Sequence, residues 1–176
     1  MSLKGEFEVR RCKFYANEAT GLGGSLYIYG HTGYVYVKDS DLSDAVAPLG
    51  GGAYIEWGDP VFSNCRISGN YASSRGGGIY TNEREHHYIR ASEIVGNDAG
   101  EAGGGVWARG SLIAMDSTFS NSEGGSTGIH VRDEIIFRCC DYEDEVIDCN
   151  WIIVQDEECE VANRSVSFSD LKRRFR

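Results

Sequence analysis

The sequence predicts an all-β fold, a right-handed parallel β-helix of about five to six coils of 23–27 residues each. Three observations carry this. A glycine-rich triplet followed by an apolar residue and an aromatic recurs every 26 or 27 residues. An Asn or Asp stands at a fixed distance ahead of each triplet. Between these marks lie short runs of alternating apolar residues. A fixed period of this length is the signature of stacked coils.

The copies are Gly23-Gly24-Ser25-Leu26-Tyr27, Gly50-Gly51-Gly52-Ala53-Tyr54, Gly76-Gly77-Gly78-Ile79-Tyr80 and Gly103-Gly104-Gly105-Val106-Trp107, with a weaker fifth at Ser126-Thr127-Gly128-Ile129-His130. Asn17, Asp44, Asn70 and Asn97 each stand eight residues ahead of the triplet's last member, and Asn121 stands seven ahead. Phe14, Ile67 and Ile94 precede the Asn by three residues, whereas Leu42 and Phe119 precede by two. A small residue follows two positions later at Ala19, Ala72 and Ala99, with Val46 as the exception.

Leu26 and Ile28, Val35 and Val37, Ile55 and Trp57, Ile113 and Met115, and Ile129 and Val131 alternate with period two, so each run presents one side inward. The runs lie between Gly, Asn, Asp and Ser clusters, which favour turns. This gives three strands per coil. Asn17, Asp44, Asn70, Asn97 and Asn121 are expected to form a structural ladder of left-handed turn residues with stacked amides. The glycines mark a sharp corner with positive φ or close backbone approach. A phosphate-binding loop does not fit, because Gly76-Gly77-Gly78 lacks the Lys-Ser/Thr ending and opens no helix.

Clear repeats cover residues 9–133, and a degenerate coil at 134–161 completes a β-helix domain of residues 1–161. Residues 162–176 form a capping or docking tail. Ser169 is placed to cap a short C-terminal helix with Phe168, Leu171 and Phe175 on one face.

Phe14-Tyr15-Ala16-Asn17, Ile67-Ser68-Gly69-Asn70 and Ile94-Val95-Gly96-Asn97, with the triplets that follow, resemble the repeat of chlamydial polymorphic outer-membrane proteins. They are also similar to the wider bacterial right-handed β-helix proteins with a pectin-lyase-like fold. The resemblance covers about residues 9–133. It implies an adhesin-like or structural module in contact with polysaccharide or protein at the cell surface, with catalysis in some relatives.

The net charge of −10 weighs against a nucleic-acid partner, since clustered Lys and Arg occur only in the last five residues. No apolar run approaches a membrane span, and Met1 to Lys13 has no apolar core of a signal peptide. Localisation therefore rests on the resemblance, which points outside the cell. Of six cysteines, Cys12 and Cys65 share a repeat position with Ser92, as small buried side chains two coils apart. Cys139, Cys140, Cys149 and Cys159 cluster near the end as thiols, or with a Cys149–Cys139 or Cys149–Cys159 bridge. Their spacing fits no zinc site.

The function expected is a non-catalytic binding or structural module. Two alternatives are a polysaccharide hydrolase or lyase and an accessory subunit meeting partners through the solenoid ends. A hydrolase needs converging carboxylates. Asp39, Asp41, Asp44 and Asp116 are the weak catalytic candidates, and calcium is the one cofactor that an acidic cluster leaves open. The catalytic motifs of familiar relatives are missing, and Gly30-His31-Thr32-Gly33 is only faintly similar to one of them. Ligand contact is expected at the column Tyr27, Tyr54, Tyr80 and Trp107, turned outward because Leu26, Ala53, Ile79 and Val106 fill the interior. His86 and His87 are expected in a solvated loop.

Overall fold

The computed structural model describes residues 7–29, 33–82, 84, 86–120, 122–125, 128–142 and 147–155. Asn121, His31, Cys159, the helix around Ser169 and the whole tail lie outside them. The described residues form a parallel β-solenoid of about five turns. The first coil carries β1 (Phe7–Arg10), β2 (Lys13–Tyr15) and β3 (Leu26–Ile28), and the second β4 (Tyr34–Lys38), β5 (Asp41–Ser43), β6 (Val46–Leu49) and β7 (Ala53–Ile55). The third has β8 (Asp59–Ser63), β9 (Arg66–Ser68), β10 (Tyr71–Arg75) and β11 (Ile79–Thr81). The fourth has β12 (His86–Arg90), β13 (Glu93–Val95), β14 (Asp98–Ala99) and β15 (Val106–Ala108). The fifth has β16 (Ser111–Met115), β17 (Thr118–Ser120), β18 (Glu123–Gly124) and β19 (Ile129–Arg138), which runs on without a break into the next turn beside β20 (Ile147–Gln155).

A full coil thus has four strands rather than three. The missed one is β6, β10, β14 and β18, whose inward positions carry only small residues such as Ala47, Ala72 and Ala99, so no apolar alternation marks it. Every strand pairs in parallel with its counterpart one coil away. The interior is filled by columns such as Leu42, Ile67, Ile94 and Phe119, all at most 1% exposed. Burying each of these side chains contributes roughly 1.5–3 kcal/mol. Ile113 and Met115, read from sequence as an alternating pair, do alternate but point outward, and Leu112 and Ala114 fill the interior. His86 and His87 belong to β12, with His87 turned into the core at 3% exposure, because the strand begins earlier than its polar sequence suggests.

The register corrects the Asn column. Phe14 pairs with Leu42 and Leu42 with Ile67, so Ala45, not Asp44, stands on the position of Asn17 and Asn70. Asp44 occupies the left-handed corner instead (φ 55°), as do Ala16 (51°), Gly69 (65°) and Gly96 (62°). This one-residue shift also aligns Ala47 with Ala72 and removes Val46 as an exception. Likewise Ser122 stands opposite Asn97, by the pairs on either side. The ladder amides are fully engaged. The Asn70 side-chain amide donates to Leu42 O and to Asn97 Oδ1, both at 2.9 Å, while Ala45 N–H donates to Asn70 Oδ1 at 3.0 Å. Asn97 donates to Ile67 O at 2.9 Å and accepts from Asn70 N–H at 3.1 Å.

A second ladder sits at another left-handed corner, formed by Arg11, Asp39, Asn64, Ala91, Asp116 and Cys139. The residues that follow are Cys12, Ser40, Cys65, Ser92, Ser117 and Cys140. The Ser92 hydroxyl donates to Arg90 O (2.7 Å) and accepts from Cys65 N–H (3.0 Å), and Ser117 repeats the pattern with Met115 O (2.6 Å) and Ser92 N–H (3.2 Å). Cys12 and Cys65 are thiols, as their separation requires. Cys149 is a thiol too, so neither proposed Cys149 bridge forms. Among the described residues Cys139 is disulfide-bonded.

At the glycine corner both expected reasons hold. Gly76 has φ +66°, and a Cβ on Gly77 would lie 2.2 Å from Asp98 O and 2.5 Å from Gly104 O. Neither contact can relax, because both atoms are backbone of the coil above. Gly77→Ala is therefore expected to cost about 3 kcal/mol or more. Asn97→Ala, which strands the Asn70 N–H and amide, should cost about 2–3 kcal/mol. Urea unfolding checks both, and an Asn97→Ala loss under about 0.5 kcal/mol would show that the ladder is not needed.

Candidate functional site

The outward column stacks along the axis. Tyr54 and Tyr80 have ring centroids 4.8 Å apart at 5°, Tyr80 and Trp107 4.4 Å at 3°, and Trp107 and His130 5.7 Å at 12°. It lies outside the interior, as alternation requires, but it is not an open platform. Leu22, Leu49 and Ala102, from the residues just before the glycine corner, fold against the rings. Tyr54, Tyr80 and Trp107 are only 4%, 7% and 4% exposed, while Tyr27 at the end of the column is 48% exposed. The sharp corner makes the outer angle concave, so side chains from both arms meet in it. Sequence alternation can tell in from out but cannot show that angle.

An open surface lies on the other arm of the same sheet, which β19 joins to the ring column's strands. The outward residues of β4, β8, β12 and β16 line a groove of about 340 Å³ that includes Tyr34, Tyr36, Val61, Tyr88, Ile113 and Met115. Tyr36, Val61, Tyr88 and Ile113 occupy successive rungs. Two rungs separate the tyrosines, about 10 Å, and Val61 leaves a slot between them. Tyr34 stacks against Tyr36 at 5.7 Å and 25°. Lys38 and Arg90 stand at one margin. Lys38 Nζ lies 4.0 Å from the Tyr36 ring centroid and 3.8 Å from Glu8 Oε2, and Arg90 donates to Met115 Sδ at 3.8 Å. Among the described residues no Asp or Glu lines the groove. The signal for this row was its spacing of 25–27 residues, hidden because it is not attached to the glycine motif.

The carboxylate candidates do not converge. Asp39 and Asp116 share a corner column but stand three coils apart, about 14 Å. Asp39 accepts from Asn64 Nδ2 (2.9 Å) and Arg10 Nε (3.1 Å), and these bonds hold its carboxyl below the usual range. Asp41 points outward from β5, and Asp44 sits at the next corner. Among the described residues no group of three or more His, Cys, Asp or Glu is arranged to hold a metal ion.

Near the last coil, His130 Nδ1 lies 2.8 Å from Asp148 Oδ2. The residue after Asp148, Cys149, is a thiol paired in register with the inward-facing Val131. Burial and the Asp148 charge push it up to about 11, so it is a poor nucleophile at neutral pH.

No family model matches this chain, nor does any curated protein or any solved structure. The solenoid is established by its own register.

Burial, reinforced by a hydrogen bond to the Glu56 carboxylate, pushes the Tyr54 phenol well above the ordinary tyrosine range. The folded chain therefore holds this proton more tightly than the unfolded one. That contribution is complete below about pH 10 and is lost as pH rises further. Between neutrality and about pH 11, Tyr54→Phe is expected to lose less stability than the parent; equal losses in alkaline urea titrations would contradict this.

Proposed function

We propose that this chain is a non-catalytic binding module that holds polysaccharide against the outer face of β4, β8, β12 and β16. The observation that carries the reading is the open groove with Tyr34, Tyr36 and Tyr88 on a rigid parallel sheet, with cations at its margin. Aromatic rings offer flat apolar contact with a polar edge, which suits sugar rings. The resemblance of the repeat to pectin-lyase-like and chlamydial surface proteins supports the same reading, and with it adhesin-like contact at a cell surface. The scattered carboxylates favour binding over hydrolysis. Affinity electrophoresis through neutral and acidic polysaccharides tests it. At least one should retard the parent chain, and Tyr36→Ala and Tyr88→Ala should each weaken binding about tenfold, or about 1.4 kcal/mol. Retention in both variants would remove the groove from the account.

A second reading, an assembly component joined through a solenoid end, is favoured by the first coil. There Phe7, Tyr15 and Tyr27 are 40%, 72% and 48% exposed, and the inward-facing Val9, Phe14 and Leu26 are only half-buried. Concentration-dependent association in light scattering, abolished by Tyr15→Asp, is the outcome this reading expects.

A further inference from the structure

Four outward cations on the stack meet a carboxylate one coil away. Arg10 meets Asp39 at 3.1 Å, Lys38 meets Glu8 at 3.8 Å, Arg75 meets Glu101 at 2.7 Å, and Arg66 bonds Glu93. Arg109 and Arg132 are set apart by standing beside each other. They directly follow the register pair Ala108–Val131, so their backbones stand one rung apart, about 4.8 Å. Among the described residues neither has a carboxylate within 4.0 Å. Like charges facing each other across a ladder repel. A chain of net charge −10 with 27 acidic residues has ample means to avoid that arrangement.

A third guanidinium, that of Arg75, approaches the same Trp107 ring while it is held by Glu101. Arg75 Cζ lies 5.8 Å and Arg132 Cζ 5.9 Å from the Trp107 ring centroid. Arg109 Nη1 lies 3.5 Å from Asn82 Oδ1. Asn82 in turn donates to the Glu56 carboxylate at 2.9 Å, and the charges of Glu56, Arg75, Arg109 and Arg132 all reach the Tyr80 phenol. The wall behind them is stiff, because Trp107 is held between Tyr80 and His130. Arg132 also lines an open cleft of about 500 Å³ with His130, Asp133, Asp148 and Asn150, so a ligand larger than an ion has room. The Asp148 carboxylate there is engaged by His130.

We propose that Arg109 and Arg132 bind an oxyanion group of an external ligand on the outer face of β11, β15 and β19. A guanidinium presents a planar fork of donors that matches sulfate, phosphate or carboxylate, and two such forks carried on adjacent rungs can bracket one group. The bound anion relieves the repulsion between them. This site is separate from the tyrosine groove and does not rest on it.

The test uses the full chain with Trp57→Phe and Trp151→Phe, both at exposed positions, so that Trp107 alone reports. Sodium sulfate and phosphate are titrated against sodium chloride at constant ionic strength, and then dextran sulfate against dextran. A saturable change in Trp107 fluorescence with an oxyanion is expected, weakened about tenfold or more in Arg109→Gln/Arg132→Gln and unchanged in Arg66→Gln, which lies in neither surface. Tighter binding of dextran sulfate than of inorganic sulfate, per sulfate group, identifies a polymer-borne group, and equal binding a free ion. Arginine Nε–Hε resonances of the unsubstituted chain must shift in the same titrations. An unsaturable response, or one kept in the double variant, overturns the proposal.

Discussion

Everything in this molecule depends on one coil lying in register on the next at the spacing of a β-ladder. At that distance a corner admits no side chain that the coil above does not tolerate, and each buried polar group must find its partner in an adjacent coil. The glycine triplet, the Asn ladder and the Ser/Cys ladder are three answers to the same condition. Gly77 leaves room for backbone, Asn70 and Asn97 satisfy buried N–H and carbonyl groups between coils, and Ser92 does so at the opposite corner. Outward charges such as Arg66 and Glu93 then favour the correct register over a slipped one.

The period, the inward apolar residues and the glycine corner were legible in the sequence because each is a constraint on residue type repeated several times. The Asn ladder was legible where Asn is present and misplaced where it is not. Asp44 is an acidic residue beside an alanine that fills the true position, and only the pairing of Leu42 with Phe14 and Ile67 reveals the shift. The fourth strand was hidden because alanine, the residue its narrow interior demands, carries no strand signal.

The candidate surfaces were less legible, for a geometric reason. Sequence alternation located Tyr54, Tyr80 and Trp107 outside the core, but whether an outward ring is open depends on the angle between consecutive strands. At the glycine corner that angle closes over them, and along β4, β8 and β12 it leaves Tyr34, Tyr36 and Tyr88 accessible. The ring column therefore serves cohesion between coils, while contact with other molecules falls to a row that no motif announced.

The gap in the Asn ladder at Ala45 has an energetic meaning of its own. In a linear array, each unit is coupled only to its nearest neighbours, and the stability of the whole is set by those couplings one by one. Asn70 ties the second coil to the third, and Asn97 ties the third to the fourth, but Ala45 has no amide to offer the first coil. Asn17 turns to Ser25 within its own coil, at 3.2 Å. The first coil is thus the most weakly coupled joint of this ladder, an outlying unit whose opening leaves the amide chain from Asn70 onward intact.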